Sequence, residues 1–302
     1  MSSSTTVEVG GRRLALSNLQ KVLYPESGFT KGELIDYYAK VADTILPHLK
    51  DRPVSLKRYP NGVESKGFFA KNAPNGTPEW VRTVRLPVPG STMGRDEIDY
   101  VVVDDLPTLV WLANLAAIEL HIPQWKVGPR GKVHGADLLV VDLDPGPPAT
   151  IVECCHVAQL IRDELAADGL TAYPKTSGSK GMQLYAPIKE TPDDATSAYA
   201  KELAQRLERR EPELIVSRML RSLRPGKVLI DWSQNNAAKT TVAPYSVRAR
   251  QSPTVSTPIT WDEVESGEPL RFTTDDVLAR IKEHGDLFAP LLATRRPKLP
   301  SA

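Results

Sequence analysis

A mixed α/β (α+β) chain is the fold class that this sequence predicts, and three observations predict it. Short β-prone runs alternate with segments of helical period along most of the 302 residues. Two strand-like runs flank a Gly-rich turn, Ser177-Gly-Ser-Lys-Gly181, as a hairpin would. The apolar run Ala136-Asp-Leu-Leu-Val-Val-Asp-Leu-Asp-Pro-Gly146 has the length and composition of a buried strand, and it carries Asp142 and Asp144 at its end.

The elements follow in order. Thr30-Lys-Gly-Glu33 fits a capping box, and Leu34, Tyr37, Tyr38, Val41, Ile45 and Leu46 continue at helical spacing, which predicts a helix from Lys31 to near Leu46. Residues 53–58 and 98–104 read as strands. Pro107 then opens an apolar helix running towards Leu120. After the carboxylate strand, residues 150–167 form a helix closed by Gly169. Leu170 to Lys175 and Met182 to Ile188 are the hairpin strands. A helix from Pro192 to about Arg210 follows, with Thr191 as its N-cap. The basic segment Arg218-Met-Leu-Arg221-Ser-Leu-Arg224-Pro-Gly-Lys227 leads into a last short strand, Lys227-Val-Leu-Ile-Asp231. The segment after Ser252 reads as an appendage, and the Pro-rich end from Arg295 to Ala302 as a frayed terminus or the stub of a linker.

Composition narrows the function classes. With 41% hydrophobic residues the chain can bury a large core. Its longest apolar stretches are too short or too interrupted to span a bilayer, and the polar start lacks a signal peptide's apolar region, so a cytoplasmic location is expected. Two adjacent cysteines, Cys154 and Cys155, make neither a disulfide framework nor a zinc site. Lys and Arg total 38 against 37 acidic residues, so any nucleic-acid contact must rest on local clustering.

Residues i and i+2 of a strand face one side, so Asp142 and Asp144 converge. Such a pair repels itself unless a proton or cation sits between, and hard oxygen ligands suit Mg²⁺ or Mn²⁺. Asp231, placed in a second short β-prone run, makes a third carboxylate; three can hold two cations.

Other groups admit two readings each. Ser177-Gly-Ser-Lys180-Gly offers backbone N–H groups and a Lys to phosphate oxygens, or is a plain flexible hairpin. Lys31 in a first helical turn, with Lys21 before it, makes a phosphate pocket or two solvated surface lysines. His121 is a helix C-cap or a substrate contact, whereas His48, His134, His156 and His284 read as structural. Phe68 and Phe69 are core anchors or a stacking platform for bases.

Taken together these residues resemble the polymerase domain of bacterial ligase D, of the archaeo-eukaryotic primase superfamily. The resemblance spans roughly residues 10–292. It rests on Leu16-Ser-Asn-Leu-Gln-Lys-Val-Leu-Tyr-Pro25, Val141-Asp-Leu-Asp-Pro-Gly146, Thr176-Ser-Gly-Ser-Lys-Gly181, Asp231-Trp-Ser-Gln-Asn-Asn236 and Lys239-Thr-Thr-Val-Ala-Pro-Tyr-Ser-Val-Arg248. The actinobacterial type is the most similar. The resemblance implies a primase-polymerase fold, with an RRM-like catalytic sheet flanked by helices and a second sheet. Residues 1–9 would be a disordered or extended N-terminus, 10–292 the domain, and 293–302 a tail.

The same resemblance implies roles. Asp142, Asp144 and Asp231 hold two divalent cations, Mn²⁺ favoured over Mg²⁺. His121, Ser177, Lys180, Gln183, Arg224, Lys239 and Arg248 line the nucleotide site. Asn18, Lys21 and Lys31 take a 5′-phosphate; Phe68 and Phe69 stack on DNA, with Lys57 nearby. The loop from Pro89 to Glu97 and the stretch from Ser217 to Lys227 help bring two DNA ends together. Where relatives carry Gly-Leu-His, this chain has Gly181-Met-Gln183, and Gln cannot become cationic.

The implied activity is addition of nucleotides, ribonucleotides preferred, to primer 3′ ends at gaps and double-strand breaks, in non-homologous end joining. Partners would be gapped or broken DNA with a 5′-phosphate, NTP or dNTP, a DNA ligase and the end-binding protein Ku, at the nucleoid and with no membrane. The ligase and nuclease domains of full-length relatives do not follow, so the chain is an excised domain or a stand-alone relative. Two other classes fit part of the pattern. An Asp-x-Asp phosphatase wants Thr or Val two places after its second Asp, where Pro145 and Gly146 follow here, and a glycosyltransferase of that motif leaves Asp231 and the paired lysines unexplained. A non-catalytic module that binds DNA ends would have little need of three carboxylates beside DNA phosphates.

Overall fold

A computed structural model describes residues 4–88, 94, 96–268 and 270–301. Two six-stranded sheets organise the chain. In the first, the spatial order is Tyr173–Thr176, Met182–Thr191, Val133–Pro145, Val228–Asp231 and Ile215–Val216, with Trp125–Val127 pairing to the Val133–Pro145 strand. In the second it is Thr241–Val242, Ala117–Ile122, Pro53–Arg58, Glu97–Val102 and Thr83–Pro87, with Phe68–Ala70 pairing to Pro53–Arg58.

Alternation along the long central strand decides what each face of the first sheet meets. Leu139, Val141 and Leu143 point to the side covered by the helices Ile151–Ala167 and Asp193–Arg210, where they share a core with Val157, Ile161, Leu203 and Leu207. Leu138 and Val140 point the other way, towards Tyr185 and Phe288. Asp142 and Asp144 continue that second row. The second sheet packs with the helices Lys31–Lys40, Ala42–Leu49 and Leu106–Asn114 in a separate core.

The capping box at Thr30 and Glu33 forms, but the helix is interrupted at Val41, which caps the end of Lys31–Lys40 and the start of Ala42–Leu49. The helix from Leu106 ends at Asn114, short of Leu120. Ala116 reverses the chain at φ +54°, and Ala117–Ile122 is a strand bonded to Pro53–Arg58 on one edge and Thr241–Val242 on the other. A fully buried apolar run has no period by which to distinguish strand from helix, and these two neighbours decide it. His121 is therefore a strand residue and not a helix cap.

Thr191 ends a strand, and Pro192 stands at the N-cap without a side-chain bond. The segment after Ser252 is no appendage. Val255, Ile259 and Val264 are buried, and Thr257 and Ile259 bond through the backbone to Thr176 and Pro174 at the edge of the first sheet.

The two ends are also tied down. Ser4–Val9 pairs with Arg12–Ser17 as an antiparallel hairpin. The C-terminal segment is not frayed: Arg296 donates to the carbonyl of Asp137 at 2.7 Å and to that of Leu291 at 2.8 Å, and Lys189 N–H to the carbonyl of Pro297. Among the described residues no helix is long and apolar enough to cross a membrane.

Candidate active site

Register brings the three aspartates together. Asp142 lies directly opposite Asp231 across the antiparallel pair of Val133–Pro145 and Val228–Asp231, and directly opposite Gln183 on its other neighbour. Directly opposed residues share a face with their Cβ atoms about 5 Å apart. Asp144, two residues on, joins them. Burial and the neighbouring charges of Asp144 and Asp231 push the Asp142 carboxyl up to about 7.

An all-oxygen donor set carrying excess negative charge suits a hard divalent cation. Among the described residues no three Asp, Glu, His or Cys side chains already close on one ion. Asp231 caps the 3₁₀ turn Trp232–Asn235, its Oδ1 accepting from Ser233 N–H at 3.0 Å and its Oδ2 from Gln234 Nε2 at 2.8 Å.

A cavity of about 190 Å³ opens beside Asp142 and Asp144, and Asp231 is not among the residues that line it. Of the residues expected there, His121, Asp142, Asp144, Ser177, Lys180, Gln183 and Arg248 line it. Lys180 Nζ donates to the carbonyl of Pro145, joining the Gly-rich turn to the end of the carboxylate strand. Gly178 lies at φ +65°, and a Cβ there would meet Arg248 Cγ and the Val255 carbonyl at 2.7 Å, so only glycine lets the turn approach them. The amides of Ser179 and Gly181 bond Ser177 Oγ, and the cationic side chains that line the cavity are those of Lys180, Arg248 and Arg250.

Arg224 and Lys239 do not line this cavity. Arg224 donates to the carbonyl of Met219 within its own segment, whose backbone packs on Gly146, and Lys239 lies in the loop after the 3₁₀ turn.

Two residues that the sequence reading passed over organise the walls. Glu119 is 1% exposed on the strand of His121. Its carboxylate accepts from His121 Nε2 at 2.8 Å and from Ala249 N–H at 3.0 Å, with Arg248 Nε at 3.4 Å and Lys57 Nζ at 3.7 Å. Burial alone would raise it; the bond from His121 and the charges of Arg248, His121 and Lys57 outweigh that and hold it at about 2. The pattern Glu119-Leu-His121, two positions apart on one strand face, was the available signal.

The second is Lys175, fully buried, whose ammonium donates to Gln183 Oε1 at 2.5 Å and Ser256 Oγ at 2.6 Å. Burial, and then Arg248, lower its pKa well below the usual lysine range. Gln183 passes the contact on, donating from Nε2 to Asp142 Oδ1 at 3.0 Å. Its amide is thus committed to a lysine and a carboxylate. Nothing in the sequence marked Lys175 as different from a surface lysine.

The residues expected on DNA form a second group. Phe68 and Phe69, 47% and 58% exposed, lie on a strand paired to Pro53–Arg58. Arg58 sits over Phe68 at 5.4 Å and Lys57 over Phe69 at 5.7 Å. Phe69 packs edge-on against His121 at 5.4 Å, so this platform adjoins the cavity.

Lys21 donates from Nζ to Asn61 Oδ1, and its backbone N–H to the carbonyl of Asn18. The helix start at Lys31 is not the open anion site expected. The amides of Lys31, Gly32 and Glu33 bond Lys21 O, Leu19 O and Thr30 Oγ1. Lys31 itself is 5% exposed, with Nζ on Asn114 O at 2.9 Å and Ser17 Oγ at 3.3 Å. Burial and the nearby Lys21 lower its pKa. An ammonium has three donors, and these bonds take two of them. Of the end-joining regions, the loop from Pro89 lies outside the described residues up to Arg95, apart from Gly94. Arg218 to Lys227 is described, and it exposes Met219 and Leu220.

Comparison with known proteins gives the family of the chain. The family model described as LigD, primase-polymerase domain, matches residues 30–288. The multifunctional non-homologous end joining protein LigD of Mycolicibacterium smegmatis is 43% identical over 282 residues, which is 92% of this chain and 36% of that protein. The bifunctional non-homologous end joining protein LigD of Bacillus subtilis is 34% identical over 90% of this chain and 43% of its own length. The chain thus spans about two fifths of these relatives. The polymerase domain from Mycobacterium tuberculosis ligase D, solved in complex with DNA, superposes with a TM-score of 0.88 at 42% identity, covering 93% of this chain and 99% of that one. The chain belongs to the family of LigD primase-polymerase domains.

Proposed function

We propose that the chain is a DNA-dependent primase-polymerase that adds nucleotides, ribonucleotides preferred, to primer 3′ ends at gaps and double-strand breaks. The observation that carries the reading is the register of Asp142 opposite Asp231, with Asp144 on the same face, beside a cavity lined by Lys180, His121 and Arg248. A pair of divalent cations held by these three carboxylates would neutralise the triphosphate and make the primer hydroxyl a stronger nucleophile. Asp231 has to turn off Ser233 and Gln234 to join such a site.

The chain's own side chains do the rest. Lys180 and Arg248 place fixed positive charge where a triphosphate would lie, and charge of that kind offsets what develops on the transferred phosphoryl group. Phe68 and Phe69 offer apolar faces to a template or primer base, and Lys57 and Arg58 behind them favour its phosphates. Lys21, with the remaining donor of Lys31, is suited to a 5′-phosphate across a gap. Mn²⁺ as the preferred metal, partnership with a DNA ligase and Ku, and a place at the cytoplasmic nucleoid belong to the same reading.

Primer extension on a gapped duplex tests it. We expect addition that requires Mn²⁺ or Mg²⁺, favours NTP over dNTP and is stimulated by a 5′-phosphate. Unchanged addition by Asp142→Ala would refute the metal assignment.

A further inference from the structure

One buried carboxylate stands between the cavity and the aromatic platform. Glu119 and His121 share a strand face, and the cross-strand partner of Glu119 is Lys57, two residues from the partner of His121. A carboxylate can accept about four hydrogen bonds. Here its neighbours are His121, Arg248, Lys57 and the amide of Ala249.

Each of the three side chains reaches a different part of the site. Arg248 holds the Gly-rich turn by donating to the carbonyl of Ser177. His121 lines the cavity, and with Nε2 on Glu119 its Nδ1 is the nitrogen left for a ligand. Lys57 lies against the rings of Phe69 and Tyr59, and Phe69 packs on His121.

We propose that Glu119 is a positioning residue that couples the nucleotide cavity to the DNA-facing platform, by holding His121, Arg248 and Lys57 in one fixed arrangement. The inference rests on the polymerase reading above. A base stacking on Phe69, or a phosphate drawing on Lys57, alters the set of charges that Glu119 balances, and His121 and Arg248 respond. Coupling of this kind is reciprocal, so nucleotide binding must strengthen DNA binding by the same factor. Without the carboxylate, Lys57 and Arg248 would repel one another in a largely buried space, and His121 would lose the acceptor that orients its ring.

The test uses ATP with Mn²⁺ and a gapped duplex whose primer ends in a dideoxynucleotide, so that binding is measured without turnover. For the wild type we expect the duplex to raise ATP affinity several-fold. Glu119→Gln keeps the shape of the side chain and should remove most of that enhancement. It should also move the loss of ATP affinity with rising pH to lower pH, because the groups facing His121 are then Arg248, Lys57 and the Phe69 ring, without the anion that favoured imidazolium.

A purely structural role would lower the melting temperature and both affinities while leaving the enhancement and the pH profile in place; that result overturns the inference. Should the variant fail to fold, the wild type still decides. Duplex alone should shift the imidazole ¹⁵N resonances of His121, and unshifted resonances would count against coupling. A wild type that binds neither ATP nor duplex would instead refute the polymerase reading itself.

Discussion

Replacing Asp142 with Asn should stabilise the metal-free protein at neutral and alkaline pH. In the folded chain this carboxyl is pushed from 3.8 to about 7, by burial first and then by Asp144 and Asp231. Its charge therefore opposes folding. The unfolded chain ionises near pH 4, so the penalty is absent below that, grows between about pH 4 and 7, and is constant above. A difference of about three pH units corresponds to about 4 kcal/mol. Water in the open cavity screens part of the repulsion, so about 2 kcal/mol is the expected gain for Asp142→Asn at pH 8.

In a chain of this length, whose unfolding entropy is about 2.1 cal/mol/K per residue, that gain is a rise of about 3 °C in melting temperature. Thermal denaturation in EDTA at pH 4.5 and pH 8 measures it: little difference between variant and wild type at the lower pH, and the full gain at the higher. Millimolar Mn²⁺ should then close the gap by stabilising the wild type more than the variant. A variant that melts at or below the wild-type temperature at pH 8 would refute the claim that the three carboxylates repel one another.

Three further outcomes follow from the same contacts. Gln183→Ala strips Asp142 of a donor and Lys175 of one of its two acceptors, Ser256 Oγ remaining; urea denaturation should show a loss of about 1–3 kcal/mol, the cost of one buried polar group left unpaired. Phe69→Ala, at an exposed ring, should leave the melting temperature nearly unchanged while weakening binding of a gapped duplex by about 1–3 kcal/mol, as read by fluorescence anisotropy. Arg296→Ala should cost about 2 kcal/mol in urea denaturation, because the guanidinium contacts both the backbone and the carboxylate of Asp137, and an equal stability would show the C-terminal segment to be loose after all.

What was legible in the sequence followed local rules. The two-residue spacing of Asp142 and Asp144, the capping box at Thr30, and the Gly-rich turn are each set by a few neighbouring residues, and each appears as expected. What was misread depends on residues distant in the chain. His121 was assigned to a helix because the run from Leu109 to Leu120 is apolar throughout, and only pairing with Pro53–Arg58 and Thr241–Val242 shows it to end in a strand.

The open helix terminus imagined at Lys31 fails for the same reason: its amides are taken by Leu19 and Lys21 in the preceding turn. Glu119 and Lys175 could not be singled out, because a buried charge is tolerated only through its partners, and those come from other strands. Arg296 sat in a Pro-rich end with no periodicity, and its anchorage to Asp137 is 159 residues away in sequence.

The central claim is that Asp142, Asp144 and Asp231 serve one metal-assisted site beside the cavity. Anomalous diffraction from crystals of the protein with Mn²⁺ and a nucleoside triphosphate tests it most directly. Manganese should bind within coordination distance of all three aspartates, with Asp231 turned away from Ser233 and Gln234 and the triphosphate against Lys180 and Arg248. Manganese bound elsewhere, or Asp231 still capping its 3₁₀ turn, would contradict the account.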